Sequence, residues 1–521
     1  MTGGADLVLV DGHVHTMDPA SPHAKGIAFG GGRILAVGTN AQAEKWVGKG
    51  TGLIELDGKV VVPGFTDAHA HLMESAAYAS NLDLGGCASL ASALETLKSR
   101  VGGELPGEWV VAGGWDESRW PEARYLSRQD LDTVSKEIPI AAVRVDRHMA
   151  SVNSPALGVL MVPPGTRGFE TMSSGQPTGI LKEDALEAMW EAVWPSPDRL
   201  ASNFHEVGTR ALALGITSVH DVVGEGELRA YQIARSSGGL PLRVTLMARD
   251  RLLPHLGAIG LSRGFGDEWL RLGAIKVFSD GSLGARTAAL FEPYRDDPTE
   301  GGMLIHPPRE LRDIVAGVQA AGFQVAVHAI GDRAIELVIE TLEAVAPDPG
   351  PRHRIEHAEL LHPDQIERMA RHGIVASCQP NFIGQWSLPG GLYEKRLGFE
   401  RNARNNPYRE ILEKGATLAF GSDGMPYGPL EGIHWAVNAP FGPQRLTVDQ
   451  AVAAYTTGGA IAGFEEEGSL APGKLGDAVV LDGDPWKEPE RIRECRVSMT
   501  IVSGRAGWRM VPAAGAGSSS P

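Results

Sequence analysis

The sequence predicts an α/β protein: a distorted (β/α)8 barrel of the TIM type, a composite β-sandwich made from both chain ends, and an α/β subdomain inserted after the first barrel strand. Three observations carry this. Eight short apolar runs recur with helical segments between them. Both ends of the chain read as short strands broken by glycine turns, and one gap between apolar runs is far too long for a loop. Composition agrees, because 66 glycines in 521 residues is nearly twice the usual share. With 34 prolines, it implies many tight turns between many short elements.

The first sixty residues contain strand-like runs at 7–10, 26–29, 33–37 and 52–56, with Gly30-Gly31-Gly32 and Asp57-Gly58 as turns. The far end repeats the style at 478–481 and 497–501. Neither end has enough strands for a stable sheet of its own, so residues 1–62 and 465–521 are expected to build one sandwich. The barrel is assigned to 63–464, with strands at 60–65, 216–220, 242–247, 274–278, 324–328, 354–357, 374–378 and 417–421. In such a barrel, function sits at the C-terminal ends of the strands. About 140 residues separate the first and second strands, far beyond a normal loop. They carry their own helices (90–100 and 184–193) and strands (109–112 and 140–145), which predicts a subdomain at 75–205 that overhangs the barrel mouth. Residues 513–521, rich in Ala, Gly and Ser, are expected to be a disordered tail.

Hydrophobic residues at 43% and charged residues at 21% exclude a disordered chain and a coiled coil. Lys and Arg number 48 against 64 Asp and Glu, a net charge of −16 that would be repelled by a phosphate backbone or an anionic membrane surface. The expected partner is a small-molecule substrate, with no nucleic acid and no membrane; a homo-oligomer is compatible with the sequence. No apolar stretch has the length of a membrane span, and residues 1–10 lack the basic start and cleavage site of a secretory signal. This predicts a cytoplasmic protein. Cys87, Cys378 and Cys495 are widely spaced and odd in number, which gives neither a disulfide framework nor a thiolate zinc site and predicts reduced, buried thiols.

Chemistry gathers at the strand ends. In an extended chain residues i and i+2 point the same way, so His69 and His71, after the first apolar run, can present two imidazoles to one metal ion. Alone, an H-x-H pair is weak, and Gly12-His13-Val14-His15 is a second one. Context separates them: Lys276 lies in the fourth run, His328 closes the fifth, His357 closes the sixth, and Asp423 follows the eighth. Such groups inside apolar strands are costly unless paired or coordinated. Imidazoles and a carboxylate are a ligand set for zinc or a similar divalent ion, whereas His13 and His15 have no third ligand and belong to the terminal β-segment. Lys276 would repel a metal as an ammonium ion. Desolvated, it loses its proton readily, and reaction with carbon dioxide gives a carbamate able to bridge two metals. The alternative is a lysine paired with Asp280 or Asp423.

The chain resembles the amidohydrolase superfamily, and within it the amidohydrolase-3 group that includes YtcJ-like proteins and N-substituted formamide deformylases. The resemblance covers nearly the whole sequence and rests on PGFTDAHAHL (63–72), AIKVFSDGSLGARTA (274–288), VAVHAIGDRA (325–334), HRIEHAE (353–359), GSDGMP (421–426) and GSLAPGKLGDAVVLD (468–482). It implies a distorted (β/α)8 barrel, a β-sandwich made from both termini and one or two divalent metals, for which the imidazole and carboxylate donors favour zinc. His69, His71 and Asp423 would hold the first metal and His328 and His357 the second, with an N6-carboxylated Lys276 between them. One stretch departs from the group: where Asp-Gly-His-Ser-Ala-Trp-Val-Asn is common, this chain has Asp146-Arg147-His148-Met149-Ala150-Ser151-Val152-Asn153. Asn153 or Ser154 reads best as a helix cap before Pro155.

The expected reaction is hydrolysis of a non-peptide carbon–nitrogen bond, because metal coordination lowers the pKa of bound water toward about 7. Asp423 is the expected catalytic acid–base, taking the water's proton and delivering it to the departing nitrogen. Trp115, Asp116, His148, Ser282 and Arg286 are candidate substrate-pocket residues. The same chemistry would also serve an ester, lactone or phosphotriester, and a non-catalytic, metal-stabilised regulatory protein is the reading outside enzymes. The intact set of six candidate ligands argues against the last.

Overall fold

Eight parallel strands form the central sheet of the computed structural model. In chain order they are β1 (Phe65–Ala70), β2 (Ile216–Val223), β3 (Arg243–Arg249), β4 (Leu270–Phe278), β5 (Gln324–Ala329), β6 (Arg354–His357), β7 (Val375–Cys378) and β8 (Leu418–Phe420). Each pairs with the next, and helices such as Glu225–Ser237, Pro308–Ala320, Asp332–Val345 and Pro363–Arg371 fill the crossovers, as parallel pairing requires. The structure describes residues 4–79, 81–101, 108–117, 120–145, 149–466 and 468–510; the tail expected at 513–521 lies outside them.

The sheet curls into a nearly closed barrel whose seam lies between β8 and β1. Side chains and loop backbone join it. Asp67 on β1 accepts hydrogen bonds from the Ser422 amide and hydroxyl, and the Asp423 amide donates to the His69 carbonyl at 2.8 Å. Gly421 passes so close to β1 that a Cβ there would lie 2.4 Å from the His69 nitrogen, so a side chain is excluded at that crossing.

The apolar run 60–65, expected as the first barrel strand, is divided between two sheets. Val60–Pro63 lies antiparallel to Ala478–Leu481 and parallel to His13–His15, while β1 begins at Phe65 and runs through Thr66-Asp67-Ala68-His69. Hydrophobicity marks burial, not which sheet a strand joins. The polar β1 is equally buried, and its charged and imidazole groups find partners there: Asp67 in Ser422 and His69 in Glu356.

The chain ends form two further sheets. One contains Arg33–Gly38, Gly26–Gly30, Leu7–Val10 and Gly52–Glu55; the other combines both termini, in the order Arg505–Arg509, Val497–Val502, Ala478–Leu481, Val60–Pro63, His13–His15, His23–Ala24. Leu9, Phe29, Val61, Val480 and Ile501 share a core between them. Arg243 on β3 ties this region to the barrel through a buried pair with Asp477 at 2.7 Å.

Glu74–Asn203 is a compact unit of its own. It holds a six-stranded mixed sheet with the helices Leu90–Val101 and Glu183–Val193. Asn153 caps the helix Ser154–Leu160 by accepting from the Ala156 amide, and it also accepts from the Ile140 amide and donates to the Ser135 and Ile138 carbonyls. Among the described residues no helix is long and apolar enough to cross a membrane. All three cysteines are free, as expected, but only Cys378 is buried; Cys87 and Cys495 are half-buried.

His13 and His15 lie on a strand of the terminal six-stranded sheet, His13 exposed and His15 stacked on Trp486 with ring centroids 3.5 Å apart. Replacing both with Gln should therefore leave metal content nearly unchanged, while replacing His69 and His71 with Ala should remove most of it. Elemental analysis of the two purified double mutants, each checked for folding by circular dichroism, distinguishes the pairs.

Candidate metal centre

Side-chain parity along β1 sends Asp67 and His69 to one face, and the following residue of that parity, His71, lies just past the strand end. Leu72 and Met73 begin the next helix by donating their amides to Asp221 of β2, which is itself held by the Tyr231 hydroxyl at 2.7 Å. His71 is thereby fixed between a strand and a capped helix. Asp423 reaches the same place from beyond β8 with a left-handed φ of 57°, rare for a residue with a side chain. One ligand atom each from His69, His71 and Asp423 lies within 4.8 Å of the others, with His71 Nε2 3.1 Å and His69 Nε2 3.6 Å from Asp423 Oδ1.

Three further expected residues surround this group. Lys276, on β4, is 1% exposed and places Nζ 3.1 Å from His69 Nε2; neither Asp280 nor Asp423 forms an ion pair with it among the described contacts. The His357 ring lies 4.9 Å from that of His69 and 4.4 Å from that of His328. Strict alternation after Glu356 would send His357 out of the barrel. Its φ of 71° ends β6 and turns the imidazole toward the mouth instead.

Three of the four imidazoles, those of His69, His357 and His328, are oriented by a further contact. His69 Nδ1 lies 2.6 Å from Glu356 Oε2, His357 Nδ1 lies 2.7 Å from Gln379 Oε1, and His328 Nε2 lies 3.1 Å from the Gly281 carbonyl. These acceptors hold one ring proton and leave the other nitrogen's lone pair available, the arrangement metal-binding histidines use. Asp280 is not an ion-pair partner for Lys276 but a backbone clamp, accepting the Ala289, Ile330 and Gly331 amides.

The protonation states suit a cation. Burial, with the Lys276 charge second, lowers His69 to about 4 and His328 to about 3. Burial and the neighbouring His328 hold His357 well below the usual histidine value. Burial lowers Lys276 to about 8, which brings the neutral amine within reach of ordinary pH. Burial alone would raise Asp423, but the His71 hydrogen bond and the surrounding imidazoles outweigh it and keep the carboxylate ionised. Neutral imidazoles with an ionised carboxylate form the donor chemistry of a zinc-type site, so these residues fit a divalent ion.

The candidate pocket residues fare differently. Trp115 is fully buried in the core of the inserted unit, its indole N–H donating to the Ala142 carbonyl at 2.9 Å. It packs rather than lines a pocket, which corrects the expectation that it contacts substrate. Asp116 lies 3.8 Å from Arg144. Ser282 accepts the Ala285 amide within its own loop, and Arg286 is paired with Asp296 at 2.9 Å; both are engaged in holding the loop after β4. His148 lies outside the described residues.

Sequence reasoning missed Glu356, Arg354 and Gln379. Arg354 and Glu356 stand two apart in a wholly buried strand, a pattern that demands mutual pairing, and this was the available signal. Gln379 carries no comparable mark.

Comparison with known proteins agrees with the geometry. The chain is 30% identical to the putative amidohydrolase YtcJ of Bacillus subtilis, over 95% of this chain and 98% of that protein. It is 29% identical to the N-substituted formamide deformylase of Arthrobacter pascens, over 97% and 98%. The crystal structure of an uncharacterized metal-dependent hydrolase from Pyrococcus furiosus superposes with a TM-score of 0.81 at 30% identity, covering 92% of this chain and 99% of that one. The model of the Amidohydrolase family matches residues 52–506, and the chain belongs to that family.

Proposed function

We propose that this protein is a divalent-metal-dependent hydrolase that cleaves a non-peptide, amide-type carbon–nitrogen bond in a small molecule. The observation that carries the reading is the meeting of His69, His71 and Asp423 within 4.8 Å at the barrel mouth, with Lys276, His328 and His357 beside them. The likeness to an N-substituted formamide deformylase supports the bond class. His69, His71 and Asp423 would hold one ion and His328 and His357 a second, zinc being the best match to this donor set. When bound, such an ion lowers the pKa of a water molecule and polarises a carbonyl.

The chain's own residues supply the rest. Asp423 is ionised and faces the site, so its carboxylate can accept a proton from the attacking water and return it to the departing nitrogen, which leaves poorly as an anion. The Lys276 amine, once neutral, can attack the carbon of carbon dioxide; the N–C bond forms as one C=O π pair moves onto oxygen, the nitrogen gives a proton to solvent, and the product is a carbamate that would offer the metal site a carboxylate-like donor. His69, His328 and His357 stay neutral as the pH falls well below 6 and remain able to ligate.

Two outcomes follow. Asp423→Asn, loaded with metal, should lose at least about 100-fold in kcat on an amide substrate, because an amide side chain cannot carry the proton; near wild-type turnover would sink the mechanism. Lys276→Ala should lose the second metal, and short carboxylic acids added to it should restore part of the activity by standing in for the carbamate. Two metals bound by Lys276→Ala without such acids would show that no bridge is needed. Kinetics on matched amide and ester substrates test the bond class.

A further inference from the structure

Behind His69 a chain of buried polar side chains crosses the barrel lumen. Glu356 accepts from His69 Nδ1 at 2.6 Å and from Arg354 Nε and Nη2 at 2.6 and 3.0 Å. Arg354 Nη1 lies 2.8 Å from His220 Nδ1, and His220 Nε2 lies 3.1 Å from Glu465 Oε1. Glu465 also accepts from Thr245 at 2.6 Å and pairs with Arg271 at 3.1 Å. The side chains of Arg354, Glu356, His220 and Glu465 are each at most 1% exposed.

The direction of every bond is fixed by chemistry. Arginine has only donors, so His220 Nδ1 must accept, its proton sits on Nε2, and that proton is given to Glu465. Both Glu356 oxygens are occupied by donors, so His69 must keep its proton on Nδ1 and direct its Nε2 lone pair toward Asp423 and Lys276. An arginine that cannot be deprotonated interrupts the chain, so it cannot serve as a proton wire. Arg354 also donates to Ser377 Oγ at 2.9 Å and to the Ala68 carbonyl at 2.5 Å, holding the β1 backbone immediately before His69.

We infer that Arg354 and Glu356, braced by His220 and Glu465, are positioning residues that fix the tautomer and orientation of His69 and so set the affinity of the first metal position. The inference rests on the reading of His69 as a metal ligand. Carboxylates behind metal-binding histidines are worth about 10–100-fold in metal affinity, and this one is itself held by Arg354, which His220 and Glu465 brace in turn.

Zinc affinity, measured by competition with a chromogenic chelator, tests it on the full-length protein. Glu356→Gln should weaken zinc binding by about 10–100-fold. His220→Leu should weaken it by a smaller factor, and His220→Gln, which can still accept from Arg354 and donate to Glu465, should recover most of that loss. Asp477→Asn breaks the equally buried Arg243–Asp477 pair away from the site; it should lower the melting temperature while leaving zinc affinity within about twofold of wild type. If Glu356→Gln does not fold, Glu356→Asp, which keeps the charge but is a methylene short of His69, is read in the same way. A folded Glu356 variant with wild-type zinc affinity overturns the inference, as does an Asp477→Asn loss equal to that of Glu356→Gln. A wild-type protein that takes up no zinc overturns both this and the proposed function, whereas zinc held equally by wild type and the Glu356 variants overturns this alone.

Discussion

Charge buried in the barrel must be neutralised where it stands, and the Arg354–Glu356 pair is where that constraint acts most strongly. The interior of a (β/α)8 barrel is ordinarily filled by layers of branched apolar side chains. Here the lumen carries His69, Lys276, His220, Arg354, Glu356 and Glu465, all buried. Removing either partner of a buried ion pair strands the other charge, which costs about 3–5 kcal/mol. The strands that bear His69, Lys276, His220, Arg354 and Glu356, and the segment after the helix Gly459–Gly463 that carries Glu465, are therefore bound to one another by side-chain electrostatics as well as by the ladders. Burial raises the energy of the Glu356 anion, but Arg354 and His69 more than offset it and hold this carboxyl well below its usual range.

The same crowding shapes the backbone around the site. The approach of β8 to β1 admits no side chain at Gly421, and the two residues that must turn inward at strand ends, His357 and Asp423, adopt left-handed φ values of 71° and 57°. Non-glycine residues held this way cost about 1–3 kcal/mol each and persist only when their surroundings over-determine them. Asp67, Ser422, Gln379 and the Asp280 clamp supply that determination. The donors are held by rigid strands and short loops, as a coordination site requires.

Much of this was legible in the sequence, for identifiable reasons. Parallel strands buried on both faces read as apolar runs between helices, so seven of the eight barrel strands were placed within a few residues. The remaining one was placed too early because β1 is polar: Asp67 and His69 do not read as buried strand residues until their partners Ser422 and Glu356 are known, and those lie hundreds of residues away. Lys276, His328 and His357 stood out as costly groups in or closing apolar runs, and His69 and His71 as a spaced pair just past one; with Asp423 they lie beside one another in the structure. The pocket candidates were chosen from loops, where sequence does not separate a side chain that meets a ligand from one that braces its neighbours. Trp115, buried against Trp120 with its indole N–H satisfied, is of the second kind.

The proposed chemistry requires a divalent ion at the barrel mouth. Crystals of the protein grown with zinc, with diffraction measured on both sides of the zinc absorption edge, test this most directly. An anomalous peak within bonding distance of His69, His71 and Asp423, a second beside His328 and His357, and density continuing past Lys276 Nζ are the predicted result. Ordered His69, His71 and Asp423 side chains with no anomalous peak between them would contradict it.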